Sequence, residues 1–229
     1  MAGTAGGAVP RGAMIIAIDG PSGAGKGTVA REVAARLRFR HVDTGAMYRA
    51  VAWRARQRGI DLSDADAVAA VAQHAVFDLG TPQVRIDGED VSQAIRTPDI
   101  DVAAATVARH PAVRRVLVAR QRQMAGDGGI VMEGRDIGTV VFPAADVKIY
   151  LDASPAERAR RRAADTAHAS SHGRPLADVA TALAERDRLD STRATSPLAV
   201  APDAVVIDTT GIGVDEVVAR VMAIVDGTR

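Results

Sequence analysis

The stretch Gly20-Pro21-Ser22-Gly23-Ala24-Gly25-Lys26-Gly27-Thr28 constrains the fold of this chain more tightly than any other. An apolar run from Met14 to Asp19 precedes it, and a helical pattern from Thr28 to about Arg36 follows. Strand, glycine-rich turn and helix, in that order, give a G-x-x-x-x-G-K match its physical meaning. Gly20, Gly23 and Gly25 let the backbone take φ > 0, turning successive N–H groups toward one point where an anion can sit. The helix that starts there adds the positive end of its dipole, and Lys26 adds a full charge that reaches the outer phosphates. A hydroxyl beside the lysine usually serves Mg2+. Gly27 takes that usual Ser/Thr place, which leaves Thr28 as the hydroxyl expected on the magnesium side, acting through the phosphates. Residues 20–28 therefore predict a site for a nucleoside triphosphate.

Downstream, the pattern alternates between short apolar runs and helical periods. Strands are expected near residues 16, 42, 131, 149 and 206, with helices over 47–57, 61–74, 100–108, 111–124, 155–164, 176–189 and 214–225. Ser63, with Asp66 three residues on, reads as the cap of the second of these. Five strands separated by helices imply an α/β fold, a parallel sheet with helices on both faces, whose ligands bind beyond the carboxyl ends of the strands. Residues 76–79, 83–86 and 89–91 alternate in the β manner instead, and Asp87-Gly88 is a hairpin signal. An antiparallel patch inside an alternating chain suggests an insertion. The expected organisation is a flexible leader over 1–13, core segments over 14–60, 116–156 and 191–229, an insertion over 61–115, and a lid with its flanking helices over 157–190. The polar stretch 168–173 reads as the mobile turn of that lid.

Composition narrows the function classes. A net charge of +1 across 229 residues provides no global field for nucleic acid or a membrane, and 3% aromatic residues disfavour a base-stacking surface. Cysteine is absent, which excludes disulfides, cysteine metal sites and thiol nucleophiles, and fits a reducing, cytoplasmic setting. No apolar run approaches the ~18 residues of a spanning helix.

Four clusters follow the phosphate loop. Asp43-Thr44-Gly45-Ala46-Met47-Tyr48-Arg49 ends a strand, and Arg49 suits bidentate phosphate binding. Arg96-Thr97 form the second cluster with Arg114 further on; Arg114 and Arg115 are consecutive on a helix, so at most one enters a site. Glu133-Gly134-Arg135-Asp136-Ile137-Gly138 ends a strand, and its Gly-Arg-Asp-x-Gly turn places a cation and a carboxylate at the sheet's carboxyl edge. Arg158, Arg161 and Arg162 share one helical face, as do Arg186, Asp190 and Arg193; two arginine-lined helices joined by a polar turn read as a lid over phosphates. No histidine or carboxylate pair resembles a hydrolytic centre. Phosphoryl transfer needs positioning and charge neutralisation rather than covalent chemistry, and a water-excluding lid favours transfer to a bound acceptor.

These motifs resemble the bacterial cytidylate kinases of the nucleoside monophosphate kinase group. The resemblance rests on Ile18 to Thr28, Asp43-Thr-Gly-Ala-Met-Tyr-Arg49, Gly88-Glu-Asp-Val-Ser92 with Ile95-Arg-Thr97, Gly134 to Pro143, and Glu185-Arg-Asp187 with Asp190 and Arg193. It runs from about residue 14 to 226. It implies a P-loop kinase fold with an enlarged monophosphate-binding insertion at 61–115, and transfer from ATP, with Mg2+, to CMP or dCMP. By the same resemblance, residues 20–28 hold ATP phosphates together with Arg158 and Arg161 of the lid, while Thr44, Tyr48 and Arg49 hold the acceptor nucleotide. Arg135, Arg186 and Arg193 contact phosphates and, with Lys26, form the catalytic set; Asp190 with Arg186 meets the sugar. Asp136 and Arg114 read cytosine, whose exocyclic amine and ring acceptors complement a carboxylate and a guanidinium. One departure stands out: Ala105, with Thr106 beside it, occupies the place where the family can offer a serine hydroxyl to the base. A monomer is expected. Two other readings remain, another P-loop small-molecule kinase such as a guanylate kinase, and a non-catalytic nucleotide switch. Asp43-Thr-Gly-Ala and Gly-Arg-Asp argue against the first, and the second predicts binding without stoichiometric transfer.

Overall fold

Strand β1 (Ile15–Asp19) lies at the centre of a five-stranded parallel sheet, between β6 (Ile130–Gly134) and β7 (Val147–Asp152), with β2 (Arg40–Asp43) and β8 (Val205–Asp208) at the edges. The computed structural model describes residues 14–80, 83–126, 128–165 and 175–228. The two segments expected to be mobile, 1–13 and 168–173, lie outside those residues. Ile16, Ala17 and Ile18 have no solvent exposure, as a strand covered on both faces requires. Ile16 and Ile18 point into one core with α1 (Lys26–Leu37) and α8 (Val214–Gly227). Ala17 points into the other with Val42, Met132, α2 (Thr44–Gln57) and α5 (Pro111–Gln123). Both faces of the sheet are thus buried under helices.

The insertion holds α3 (Ala65–His74), the antiparallel strands β3 (Phe77–Leu79), β4 (Val84–Ile86) and β5 (Glu89–Asp90), and α4 (Pro98–Val107). Asp87 and Gly88 take φ of 54° and 81°, the left-handed pair of a tight hairpin. Two starts differ from the sequence reading. Asp64 rather than Ser63 caps α3, its carboxylate accepting the Ala67 N–H. Helix α2 begins at Thr44, three residues before the expected Met47, because Asp43 accepts the Ala46 N–H and draws the Thr44-Gly45 pair into the first turn.

Helices α6 (Pro155–Ala164) and α7 (Leu176–Thr192) pack on each other around a small core of Ala159, Val179 and Leu183. Between β6 and β7 the chain makes a π-helical turn, Ile137–Val141, which overlaps the end of the Gly-Arg-Asp-x-Gly turn read from the sequence. Register pairs Asp19 with Gly134, Asp43 with Glu133 and Asp152 with Asp208, so the strands end together and their acidic residues collect at one edge.

Candidate active site

A cleft of about 1830 Å3 opens at that edge. Its floor is the glycine-rich loop. Gly20 has φ 146°, and a Cβ there would stand 2.0 Å from the Leu151 carbonyl oxygen, so only glycine lets the loop leave β1 against β7. Gly25 takes φ 90° at the start of α1, which aims the first helical N–H groups into the cleft. Residues Ser22 to Thr28 line it, while Gly20 and Pro21 shape the loop from behind. The buried Lys26 donates from Nζ to the Pro21 carbonyl oxygen at 2.7 Å. Burial first, and then the neighbouring Arg135, bring its pKa down to about 7, against the pull of Glu133, Asp19 and Asp190.

The opposite wall is built on two carboxylates. Asp190, near the end of α7 and buried, accepts from Arg135 Nε at 3.0 Å and Arg186 Nε at 3.2 Å, and Arg193 Nη1 stands 3.4 Å away. Burial alone would raise the Asp190 carboxyl; Arg135, Arg186 and Arg193 outweigh it and hold it below its ordinary value. Asp136 accepts from Arg114 Nη2, and Arg193 Nη2 lies 3.7 Å from its other oxygen. Arg193 therefore spans both carboxylates. Arg114 is 2% exposed and Arg115 is exposed, so one of the pair enters the site, as their spacing requires. Two carboxylates among four guanidinium groups leave a positive surplus on the wall across from the loop.

The Asp43 segment forms the side of the cleft. Arg49 Nη2 donates to Asp43 at 2.8 Å, and its Nε is buried without a partner, a donor left over for a ligand. Thr44 donates its hydroxyl to the Glu133 carbonyl oxygen at 2.7 Å. The Tyr48 ring lies under the Arg114 guanidinium, 5.5 Å from centroid to Cζ, and burial pushes its phenol up to about 12. Ala105 lines the cleft with Thr106, whose hydroxyl donates back to Val102.

Of the three arginines that share a face of α6, Arg161 and Arg162 line the cleft and Arg158 does not. Arg158 is 8% exposed, does not line the cleft, and braces the loop from behind by donating to the Ser22 carbonyl at 3.2 Å and to Asp187. Arg161 turns to Thr209 Oγ1 at 2.8 Å and to Glu157, and Arg162 to Asp101 on α4. Side chains that start on one face separate over the length of an arginine and follow their nearest acceptors. Sequence reasoning placed Glu133 in the strand-end cluster without a role of its own and passed over Asp101; the Glu133 carboxylate stands 3.1 Å from a Cβ built on Gly27. A strand-end position is the signal that marks Glu133; Asp101, inside a helix, carries none.

The sequence profile of the cytidylate kinase family matches residues 16–227. The chain is a member of that family. Cytidylate kinase of Solibacter usitatus (strain Ellin6076) is 48% identical over 214 residues, covering 93% of this chain and 92% of the relative. Cytidylate kinase of Geobacillus thermodenitrificans (strain NG80-2) is 50% identical over 215 residues, 92% of this chain and 96% of its own length. Among solved structures, an uncharacterized protein from Eubacterium ventriosum ATCC 27560 superposes with a TM-score of 0.51 at 10% identity, over 93% of this chain and 98% of the other. That likeness concerns the fold alone. As a cytidylate kinase the chain carries the P-loop kinase fold and is an enzyme.

Proposed function

We propose that this chain transfers the γ-phosphoryl group of ATP to CMP or dCMP, giving ADP and CDP or dCDP. The observation that carries the reading is the position of the buried Arg114–Asp136 pair, across one cleft from a glycine-rich phosphate loop, in a chain of the cytidylate kinase family. In this reading the N–H groups of residues 22–28 and the Lys26 ammonium hold the donor phosphates. Thr44, Tyr48 and Arg49 hold the acceptor, with its phosphate beside the Arg49 Nε. Arg135, Arg186 and Arg193 surround the transferring group, where stabilisation of its three equatorial oxygens is the main demand. An oxygen of the CMP phosphate attacks the γ-phosphorus, and the bond to the β,γ-bridging oxygen breaks, leaving ADP. No general base is required, because a phosphate acceptor is already ionised. Asp190 keeps the three arginines together despite their mutual repulsion, and presents them at fixed spacing.

Cytosine recognition falls to Asp136 and Arg114. The carboxylate accepts from the exocyclic amine and the guanidinium donates to the ring acceptors. Uracil would set an oxygen against the Asp136 carboxylate, replacing a hydrogen bond with a repulsion between two acceptors in a buried site.

The donor set also fits Mg2+. No group of three or more metal-ligating side chains occurs among the described residues, and Thr28 and the Glu133 carboxylate flank the place of the donor phosphates. Mg2+ takes few protein ligands and keeps phosphate and water oxygens, so such a sparse set suits it. Bound with ATP, it supplies neutralisation of phosphate charge. The enzyme acts as a monomer in the cytoplasm; in support, one chain builds the whole cleft and no described helix is long and apolar enough to cross a membrane.

The test is an acceptor screen with ATP and Mg2+, following ADP with CMP, dCMP, UMP, AMP and GMP in turn. Rapid turnover with CMP and dCMP is expected. Turnover with GMP in their place would point to a guanylate kinase, and nucleotide binding without transfer to any acceptor to a switch.

A further inference from the structure

Asp19 is the last residue of β1 and the residue immediately before the phosphate loop, and it is 5% exposed. Its carboxylate does not point at the loop. Oδ1 accepts the Ile137 N–H at 2.9 Å and Oδ2 the Gly138 N–H at 2.7 Å. Those two amides open the π-helical turn that follows Arg135 and Asp136. Both carboxylate oxygens are thus spent on one short segment more than a hundred residues away in sequence. The approach is close: a Cβ on Gly138 would lie 3.5 Å from Asp19 Oδ2 and 3.2 Å from Lys148 Cδ.

Given the reading above, on which this inference rests, we infer that Asp19 is a positioning residue that fixes the turn bearing Arg135 and Asp136 at a set distance from the donor phosphate loop. The physical case has three parts. A buried carboxylate accepting two backbone N–H groups holds them more strongly than neutral acceptors would. Asp136, at φ −149° and ψ 26°, makes no side-chain cap of its own, so among the described residues Asp19 is what holds the first amides of the turn. Asp19 is also joined by one peptide bond to Gly20, where the loop begins, so any movement of the turn is transmitted to the donor side through a single residue. The carboxylate's pKa is raised to about 6 by burial, even with both amide bonds opposing that shift. A group kept in place at such cost, where an apolar side chain would be easier to bury, is consistent with a geometric task.

The test uses the full chain with Asp19→Asn, which keeps one acceptor oxygen and turns an amine toward the other N–H, and Asp19→Ala, which keeps neither. For each we would measure KM for CMP, the Kd for ATP, and the ratio of kcat/KM for CMP to that for UMP. Asp19→Ala is expected to raise KM for CMP at least tenfold and to lower the CMP:UMP ratio about tenfold, with Kd for ATP within threefold and Asn intermediate. A purely structural role would lower thermal stability and the activity on both acceptors, leaving the ratio unchanged; that result overturns the inference. Amide hydrogen exchange on the wild type provides a measurement independent of whether the variants fold. The Ile137 and Gly138 amides should exchange as slowly as those of β1, and rapid exchange at either also overturns it. Failure of the wild type to phosphorylate CMP would sink the functional reading instead, so the two failures are distinct.

Discussion

Lys26 is the residue whose charge depends most on what is bound. With its pKa near 7, the ammonium is mostly neutral above pH 8, although the ordinary lysine value is 10.5. Donor phosphates beside it favour the charged form, so ATP binding at pH 8.5 should take up close to one proton, and at pH 6, where Lys26 already carries it, none. Calorimetry in Tris and in HEPES, whose ionisation enthalpies differ, reads this directly; identical heats in the two buffers at pH 8.5 would refute it. The stability sign follows from the same shift. Between pH 7 and 10.5 the unfolded chain binds more protons at this site than the folded one, so the site's contribution to stability rises with pH across that window and is lost as pH falls through 7. Arg193 has a different kind of leverage, since it spans Asp190 and Asp136. Arg193→Ala should lower kcat by about 10²–10³-fold while leaving ATP affinity within threefold, the range seen when one preorganised donor to transition-state charge is removed. Wild-type kcat would take Arg193 out of the site.

At the scale of elements, the sequence was readable wherever a local rule decides the outcome. The bounds of α6, Pro155 to Ala164, were expected in full, because Ser154 caps the Glu157 N–H and Pro155 occupies the first turn. The hairpin at Asp87-Gly88 was legible for the same reason. The choice between Ser63 and Asp64 was not, since both are good caps and the difference lies in which side chain the preceding turn leaves free. The π-helical turn was hidden altogether: its first amides are held by Asp19, a partner that only the fold supplies. The site shows the same division. Motif residues Arg135, Asp136, Arg186 and Arg193 come together, but the destinations of Arg158 and Arg162 were set by Ser22 and Asp101, distant in sequence. The pair α6–α7 has, among the described residues, a core of its own of only three buried residues. Such a unit opens locally at lower cost than the sheet. Its amides over 180–183 should exchange about 10²-fold faster than those of Ile16 to Ile18 in the free enzyme, and slow when ATP and CMP are both present. Equal protection in the absence of nucleotide would show that α7 opens only with global unfolding.

Across the whole molecule, the sheet supplies two cores, and α4, in the segment expected as an insertion, meets α6 and α7, expected as a lid, beside the cleft. Asp101 on α4 is a joint in that meeting. Its carboxylate accepts from Arg162 on α6, and its backbone carbonyl accepts from Arg186 Nη1 on α7 at 2.7 Å. The first bond is an ion pair with both side chains partly screened from water, and the second uses the main chain, so a side-chain substitution removes only the first. Partly buried pairs of this kind exceed the 0–1 kcal/mol of exposed ones, and losing Asp101 leaves Arg162 with only the more weakly acting Asp165 as counter-charge. In a chain of 229 residues folded to a radius of gyration of about 17 Å, swinging the lid off the insertion moves a large part of the mass outward. Asp101→Ala should therefore expand the free enzyme by on the order of 1 Å in small-angle scattering, against that ~17 Å reference. ATP and CMP together should restore the wild-type radius, because phosphates then draw the arginines inward in place of the lost carboxylate. An unchanged radius without nucleotide would mean that the Arg186 bond and the α6–α7 packing suffice to hold the lid, and that Asp101 is a passive counter-ion.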